Sequence, residues 1–278
     1  MSRTRIRQEP TIGVGATEEA SRNEAGGPAA KAPDVALFVT CLADSFRPAV
    51  ARAALRLLEK SGCRVTIPER QTCCGQPGYN SGDRGGAIAV AQRVIEVFET
   101  HQYVVVPSGS CAGMLRVHYP QLLSGAWRER AVAFAGRVYE LTQFLDDILG
   151  WTPAARPPQR YAYHDSCAGL RELGIDHQPR RLLRAAGQEV IDLEQREVCC
   201  GFGGTFCARM PAISAKMSDD KLAAARRSGA DTVLGGDLGC LLALAGRARR
   251  KESSLHFRHI AEVLAGEDEA PAIGEADN

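Results

Sequence analysis

Two stretches of this chain write Cys-Cys-Gly: QTCCGQPGYNSG at residues 71–82 and EVCCGFGGTF at 197–206. Adjacent cysteines seldom bridge each other, because so small a ring strains the disulfide geometry. They also crowd a single tetrahedral zinc ion, whose paired ligands usually stand two to four residues apart. A cluster with several metal centres gives each neighbour its own place, so an iron–sulfur cluster makes use of the adjacency. The glycines that follow, Gly75 and then Gly201, Gly203 and Gly204, let backbone come close and donate N–H groups to sulfur. Zinc and a redox dithiol stay open, although a dithiol needs only two cysteines and leaves six without a purpose.

The two stretches belong to a larger repeat. Cys41, Cys73, Cys74 and Gly75 recur 126 residues later as Cys167, Cys199, Cys200 and Gly201. Cys111 recurs as Cys240 after 129 residues, a three-residue insertion. Four cysteines twice in one order point to a duplication.

The elements that must position these thiols follow from the apolar pattern. In the first half, strands are predicted at 35–40, 63–67 and 103–106, and helices at 47–60 and 84–99. The second half repeats them with RYAYHDSC, QPRRLLRAAG, EVIDL, a helix over about 211–227, and DTVL. VYELTQFL (138–145) and FRHIAEVL (257–264) read as equivalent closing helices. Alternating strands and helices predict an α/β fold, here two tandem, duplicated, small parallel-sheet domains related by a pseudo-two-fold axis. Their expected bounds are 34–150 and 151–265, linked near the proline-rich GWTPAARPPQR. Cys41, Cys111, Cys167 and Cys240 fall just beyond strand ends, the edge where open parallel sheets place ligands. A disordered lead-in is expected over 1–33 and an acidic, mostly disordered tail over 266–278. GVG at 13–15 has no strand before it and is no nucleotide loop.

Composition narrows the classes. Apolar residues make up 45%, charged residues 24%, and the net charge is +1, which gives no bulk electrostatic case for nucleic acid or membrane. No apolar run approaches a spanning helix, and Arg3, Arg5 and Arg7 precede no signal-like stretch. The expected compartment is the cytoplasm, where ten cysteines are more often metal ligands or redox groups than disulfides.

TCLADSFRP, LEKSGC, QTCCGQPGYNSG, PSGSCAGM, YHDSCAGLRELGI, EVCCGFGGTF and DLGCLL closely resemble the lactate utilization protein A family. That family sits in a wider group with a heterodisulfide reductase subunit and the glycolate oxidase iron–sulfur subunit. The resemblance covers about 35–265. It implies an iron–sulfur electron-transfer component of a multi-subunit system that oxidises L-lactate, an oxidoreductase subunit not active alone. It implies one iron–sulfur cluster per domain, of a type left open with 4Fe-4S in view and with zinc open for one site, held by Cys41, Cys73, Cys74 and Cys111, then by Cys167, Cys199, Cys200 and Cys240. Implied partners are companion lactate utilization subunits, one of them a ferredoxin-like iron–sulfur protein. Other functions in view are a heterodisulfide or thiol–disulfide reductase, a glycolate oxidase iron–sulfur subunit, and a zinc-stabilised interaction module. The chain departs from its heterodisulfide reductase relatives at Met114 and Ala243, where they double the last cysteine, and at Ala168, where a histidine is familiar.

Other residues have plainer expectations. Cys63 reads as a core cysteine; Cys207 reads as structural, with an extra ligand as the rival. His164 and Asp165 precede Cys167, but their order and spacing match no hydrolase, so His164 is expected to pack, hydrogen-bond or tune the cluster. Tyr79 and Asn80 are candidates to line the first site. Arg171 and Arg209 are candidates to attract a carboxylate, and RARRK at 247–251 reads as a solvated helix end.

Overall fold

The computed structural model describes residues 32–275, so the expected lead-in, but for its last two residues, and GVG lie outside the described residues. Two four-stranded sheets form, every strand parallel to its neighbours. The first is ordered β2-β1-β3-β4, from β1 (Asp34–Leu37), β2 (Arg64–Thr66), β3 (Tyr103–Val106) and β4 (Val138–Glu140). The second repeats it as β6-β5-β7-β8, from β5 (Arg160–His164), β6 (Glu189–Asp192), β7 (Thr232–Gly235) and β8 (His256–His259). The duplicated α/β fold is therefore present in both halves.

Side chains alternate between faces with period two. Val35 and Leu37 face a central core shared with Tyr161, Tyr163 and Leu234 of the other sheet. Ala36 and Phe38 face an outer core with Val104, Val106 and Cys74. Ala162 and Val233 face the opposite outer core with Cys200 and Cys240. The two halves thus share apolar burial, and ion pairs such as Arg47–Glu262 at 2.8 Å tie them together.

Three expectations are corrected. VYELTQFL and FRHIAEVL are not helices throughout: each opens as a strand, β4 or β8, and turns helical at Leu141 or Ile260. The helical spacing of Leu141, Phe144 and Leu145 is real, but three residues of period two before it are too few to stand out. A helix at Gly125–Ala135 was not foreseen; its exposed Val132 blurs the apolar stripe. The acidic tail is packed over 266–275: Ala272 and Ile273 are buried, Ile273 N–H donates to Phe257 O at 2.8 Å, and Glu267 pairs with Arg56. Its acids are anchors against arginines rather than a solvating run. Among the described residues no helix is long and apolar enough to cross a membrane.

Candidate metal centres

Short polar caps set the first cysteine of each half. Cys41 opens the helix Cys41–Phe46, where Thr40 Oγ1 accepts from Ala43 N–H at 3.3 Å. Cys167 opens Cys167–Glu172, where Ser166 Oγ accepts from Gly169 N–H at 3.1 Å. Thr40 and Ser166 stand at matching repeat positions. The last cysteines also lie in helices that follow central strands, Cys111 in Gly109–Gly113 after β3 and Cys240 in Leu238–Arg250 after β7.

The middle pair sits on a left-handed turn. Gly75 and Gly201 have φ of 80° and 92°, values an L side chain resists. The turn points backbone N–H groups at sulfur: Gly201 N–H reaches Cys199 Sγ at 3.3 Å and Phe202 N–H reaches Cys200 Sγ at 3.5 Å. Below, Tyr119 O–H donates to Cys74 O and Ser218 O–H to Cys200 O, both at 2.8 Å.

All eight repeat-matched cysteines come together, four in each half. Cys41 Sγ lies 3.6 Å from Cys73 Sγ, and Cys74 Sγ lies 3.5 Å from Cys111 Sγ. The second half pairs Cys167 with Cys199 and Cys200 with Cys240 in the same way. Adjacent cysteines bond each other as well, Cys73 with Cys74 and Cys199 with Cys200, so the four sulfurs of each half run in a chain with the Cys-Cys step at its middle. Burial repeats as well: Cys74, Cys111, Cys200 and Cys240 are buried, while Cys41, Cys73, Cys167 and Cys199 are partly open.

The thiols divide their protons unequally. Hydrogen bonds from the Cys41 and Cys74 thiols hold Cys73 far below the ordinary thiol range, and Cys167 and Cys200 do the same for Cys199. Their donors Cys41 and Cys167 are pushed up by the same bonds and by burial. Each half thus holds one ready thiolate, the form that binds metal.

The surroundings differ. A cavity of about 250 Å³ opens on the first site, lined by its four cysteines, by Asn80, Ser108 and Ser110, and by Phe202, Asp237 and Gly239 from the second half. Asp237 accepts from Ser110 N–H at 2.8 Å and from Ser108 O–H at 3.2 Å. Beside the second site lies His164, whose ring nitrogens have no hydrogen-bond partner among the described residues. Burial, then the charge of Lys221, lowers the His164 pKa to about 4, so the imidazole is neutral. Lys221 is buried too, donating to Gln195 O at 2.7 Å and Arg196 O at 3.1 Å. Asp165 holds Arg180 through two bonds of 2.9 Å.

The remaining candidates fall as follows. Cys63 is a core residue. The Cys207 thiol donates to Gly204 O at 3.2 Å instead of joining a thiol pair. Asn80 lines the first cavity, whereas Tyr79 packs on His118 with ring centroids 5.0 Å apart. Arg171 is taken by Glu197 O. Arg247 grips Asp219 at 2.6 and 2.7 Å, while Arg249, Arg250 and Lys251 of RARRK are exposed, as a solvated helix end would be. Ala168 lies buried beside Gly113, where a Cβ would come within 3.6 Å of it; a bulkier residue has little room there. Asp237, Ser108 and Lys221 were missed. Asp237 and Ser108 are matching repeat positions that meet across the two halves, and only their place before Cys240 and Cys111 hinted at a role.

A cysteine-rich domain, the CCG domain, matches residues 35–116 and again 161–245. Lactate utilization protein A 2 of Bacillus cereus is 42% identical over 237 residues, which cover 83% of this chain and 97% of that protein. Lactate utilization protein A of an Exiguobacterium species is 45% identical over 238 residues, covering 84% and 97%. A solved structure of a hypothetical protein from Helicobacter pylori aligns with a TM-score of 0.58 at 12% identity, over 87% of this chain and 49% of that one. That last likeness is one of fold alone.

Proposed function

The chain belongs to the lactate utilization protein A family of CCG-domain proteins, and on that footing we propose that it is an iron–sulfur electron carrier in a multi-subunit system oxidising L-lactate. The observation that carries this reading is the convergence of four cysteine sulfurs in each half, with two adjacent cysteines at the middle of each set. Adjacent thiolates crowd a single ion, whereas a group with several metal centres gives each its own place. The donor set fits such a group, as do the cavity over the first site and the backbone N–H groups aimed at sulfur. Cys41, Cys73, Cys74 and Cys111 would hold one cluster, and Cys167, Cys199, Cys200 and Cys240 the other. An iron–sulfur cluster accepts and returns single electrons.

Lactate oxidation removes two electrons from a C–H centre, normally through a hydride acceptor such as a flavin. The chain has no G-x-G-x-x-G loop between a strand and a helix for a dinucleotide, and no C-x₂-C-x₂-C-x₃-C-P run. Companion subunits therefore carry the hydride step, and this chain relays electrons from it. The test is anaerobic turnover of lactate with an artificial acceptor, with and without the companions. Turnover only with companions supports the relay; equal turnover by this chain alone overturns it.

Zinc is a second reading with an observation of its own. Sulfurs bound to one tetrahedral zinc at 2.3 Å stand about 3.8 Å apart, close to the 3.5 and 3.6 Å of the two pairs in the first half. Metal and sulfide analysis separates the two readings.

A further inference from the structure

The repeat places different residues at one position beside the two sites. In the first half it is Phe38, fully buried in the same apolar cluster as Cys74 and Cys111 and packed on Phe98 with centroids 5.3 Å apart. In the second half it is His164, 1% exposed. A phenyl ring at this position meets every packing demand of the first half. An imidazole there brings two polar nitrogens into a buried setting, and neither finds a hydrogen-bond partner among the described residues. Such groups are costly unless something binds them.

What lies beside the ring is sulfur. A His164 ring nitrogen, Cys200 Sγ and Cys240 Sγ all lie within 4.8 Å of one another. A metal bound to nitrogen at 2.0–2.1 Å and to sulfur at 2.3 Å would draw such atoms to about 3.5–3.8 Å. The required closure is at most about one ångström, within reach of small rotations of the three side chains. We propose that His164 is a direct nitrogen ligand of the second site, alongside Cys200 and Cys240, so that this site is a mixed thiolate–imidazole centre while the first is held by thiolates alone. The proposal rests on the reading of both cysteine sets as metal sites, and not on which metal they hold.

The test is pulsed EPR on the full-length chain, reduced and iron-loaded, grown with natural histidine or with ¹⁵N-histidine. The proposal expects a strong nitrogen coupling that changes with the isotope. It should persist in Cys74→Ser, which disables the first site, and vanish in His164→Phe, which copies the residue of the first half. Absence of an isotope-sensitive coupling, or its survival in His164→Phe, overturns the proposal. If His164→Phe does not fold, His164→Gln replaces it, and the isotope comparison in Cys74→Ser still decides whether a histidine binds the second site. If the chain holds no iron, the electron-relay reading fails on its own; the cobalt(II)-loaded chain is then examined for the same coupling, with the same outcomes.

Discussion

The first cysteine site opens on a cavity that both halves line, whereas the second is packed against a buried imidazole and a buried ammonium. Their sulfurs are nonetheless arranged alike, linked in the same order and with the same members buried. The duplication has kept the donor set and altered what surrounds it. Surroundings set access and charge: the cavity over the first site suits exchange with a partner, and Lys221 beside the second site favours an added electron there. Asp237, which also acts on Cys167 and Cys240, opposes that in part.

The sharpest way to break the comparison is to remove one site at a time. Cys74→Ser should lose the metal of the first site and Cys200→Ser that of the second, about half the total in each case, while Cys63→Ser keeps both. Serine is a poor substitute for a soft thiolate, whereas a core cysteine acts through packing. Metal content per chain measures this, and full retention in both ligand variants would contradict separate sites.

Next in size are the two turn glycines. A Cβ at Gly201 would come within 2.6 Å of Ser214 backbone O, but at Gly75 its nearest neighbour is the Val90 side chain, at 3.1 Å, with backbone no nearer than 3.8 Å. Both substitutions to alanine carry the left-handed penalty of roughly 1–2 kcal/mol. Gly201→Ala should cost more, roughly 3 kcal/mol or above, because backbone cannot yield as a side chain can. Urea denaturation of the two variants gives the order.

Asp237→Ala should loosen the first site more than the second. It leaves Ser110 N–H without its acceptor, a loss of about 1–3 kcal/mol. Release of metal to a chelator should quicken more at the first site than at the second, where Asp237 acts on Cys167 and Cys240 through its charge; equal quickening at both would deny the asymmetry.

The smallest effect compares the helix caps at the ends of β4 and β8. Glu140 is fully buried, and burial raises its pKa to about 7 from 4.5. The folded chain then binds this proton more tightly than the unfolded chain. Stability from this group is full below about pH 4.5 and is lost as pH rises towards 7. Glu140→Gln should therefore stabilise the chain at pH 8 by roughly 1–3 kcal/mol, and by much less at pH 5. His259 at the matching cap behaves oppositely: burial lowers its pKa to about 4 from 6.5, so its contribution is lost as pH falls through that window. Denaturation curves at the two pH values check the Glu140 sign.

Much of this was legible in the sequence because a fixed offset survives whatever the local structure is. Cys41 to Cys240 could be matched in pairs, and the long apolar strands and helices fell where their periodicity placed them. β4 and β8 were hidden because three or four residues of alternation run straight into a helical stripe. The Ser108–Asp237 contact was hidden because it joins residues 129 apart. Ala272 and Ile273 were lost in an acidic run whose charges turn out to face arginines. His164 was visible only as a neighbour of Cys167; its burial against Cys200 and Cys240 needed the fold.

The central claim is that the two cysteine sets hold redox-active iron–sulfur centres. Its most direct test is anaerobic analysis of iron, zinc and acid-labile sulfide in the freshly purified full-length chain, with EPR before and after reduction. The account predicts iron with matching sulfide and a paramagnetic signal that responds to reduction. Zinc without sulfide, and no signal in either state, would contradict it.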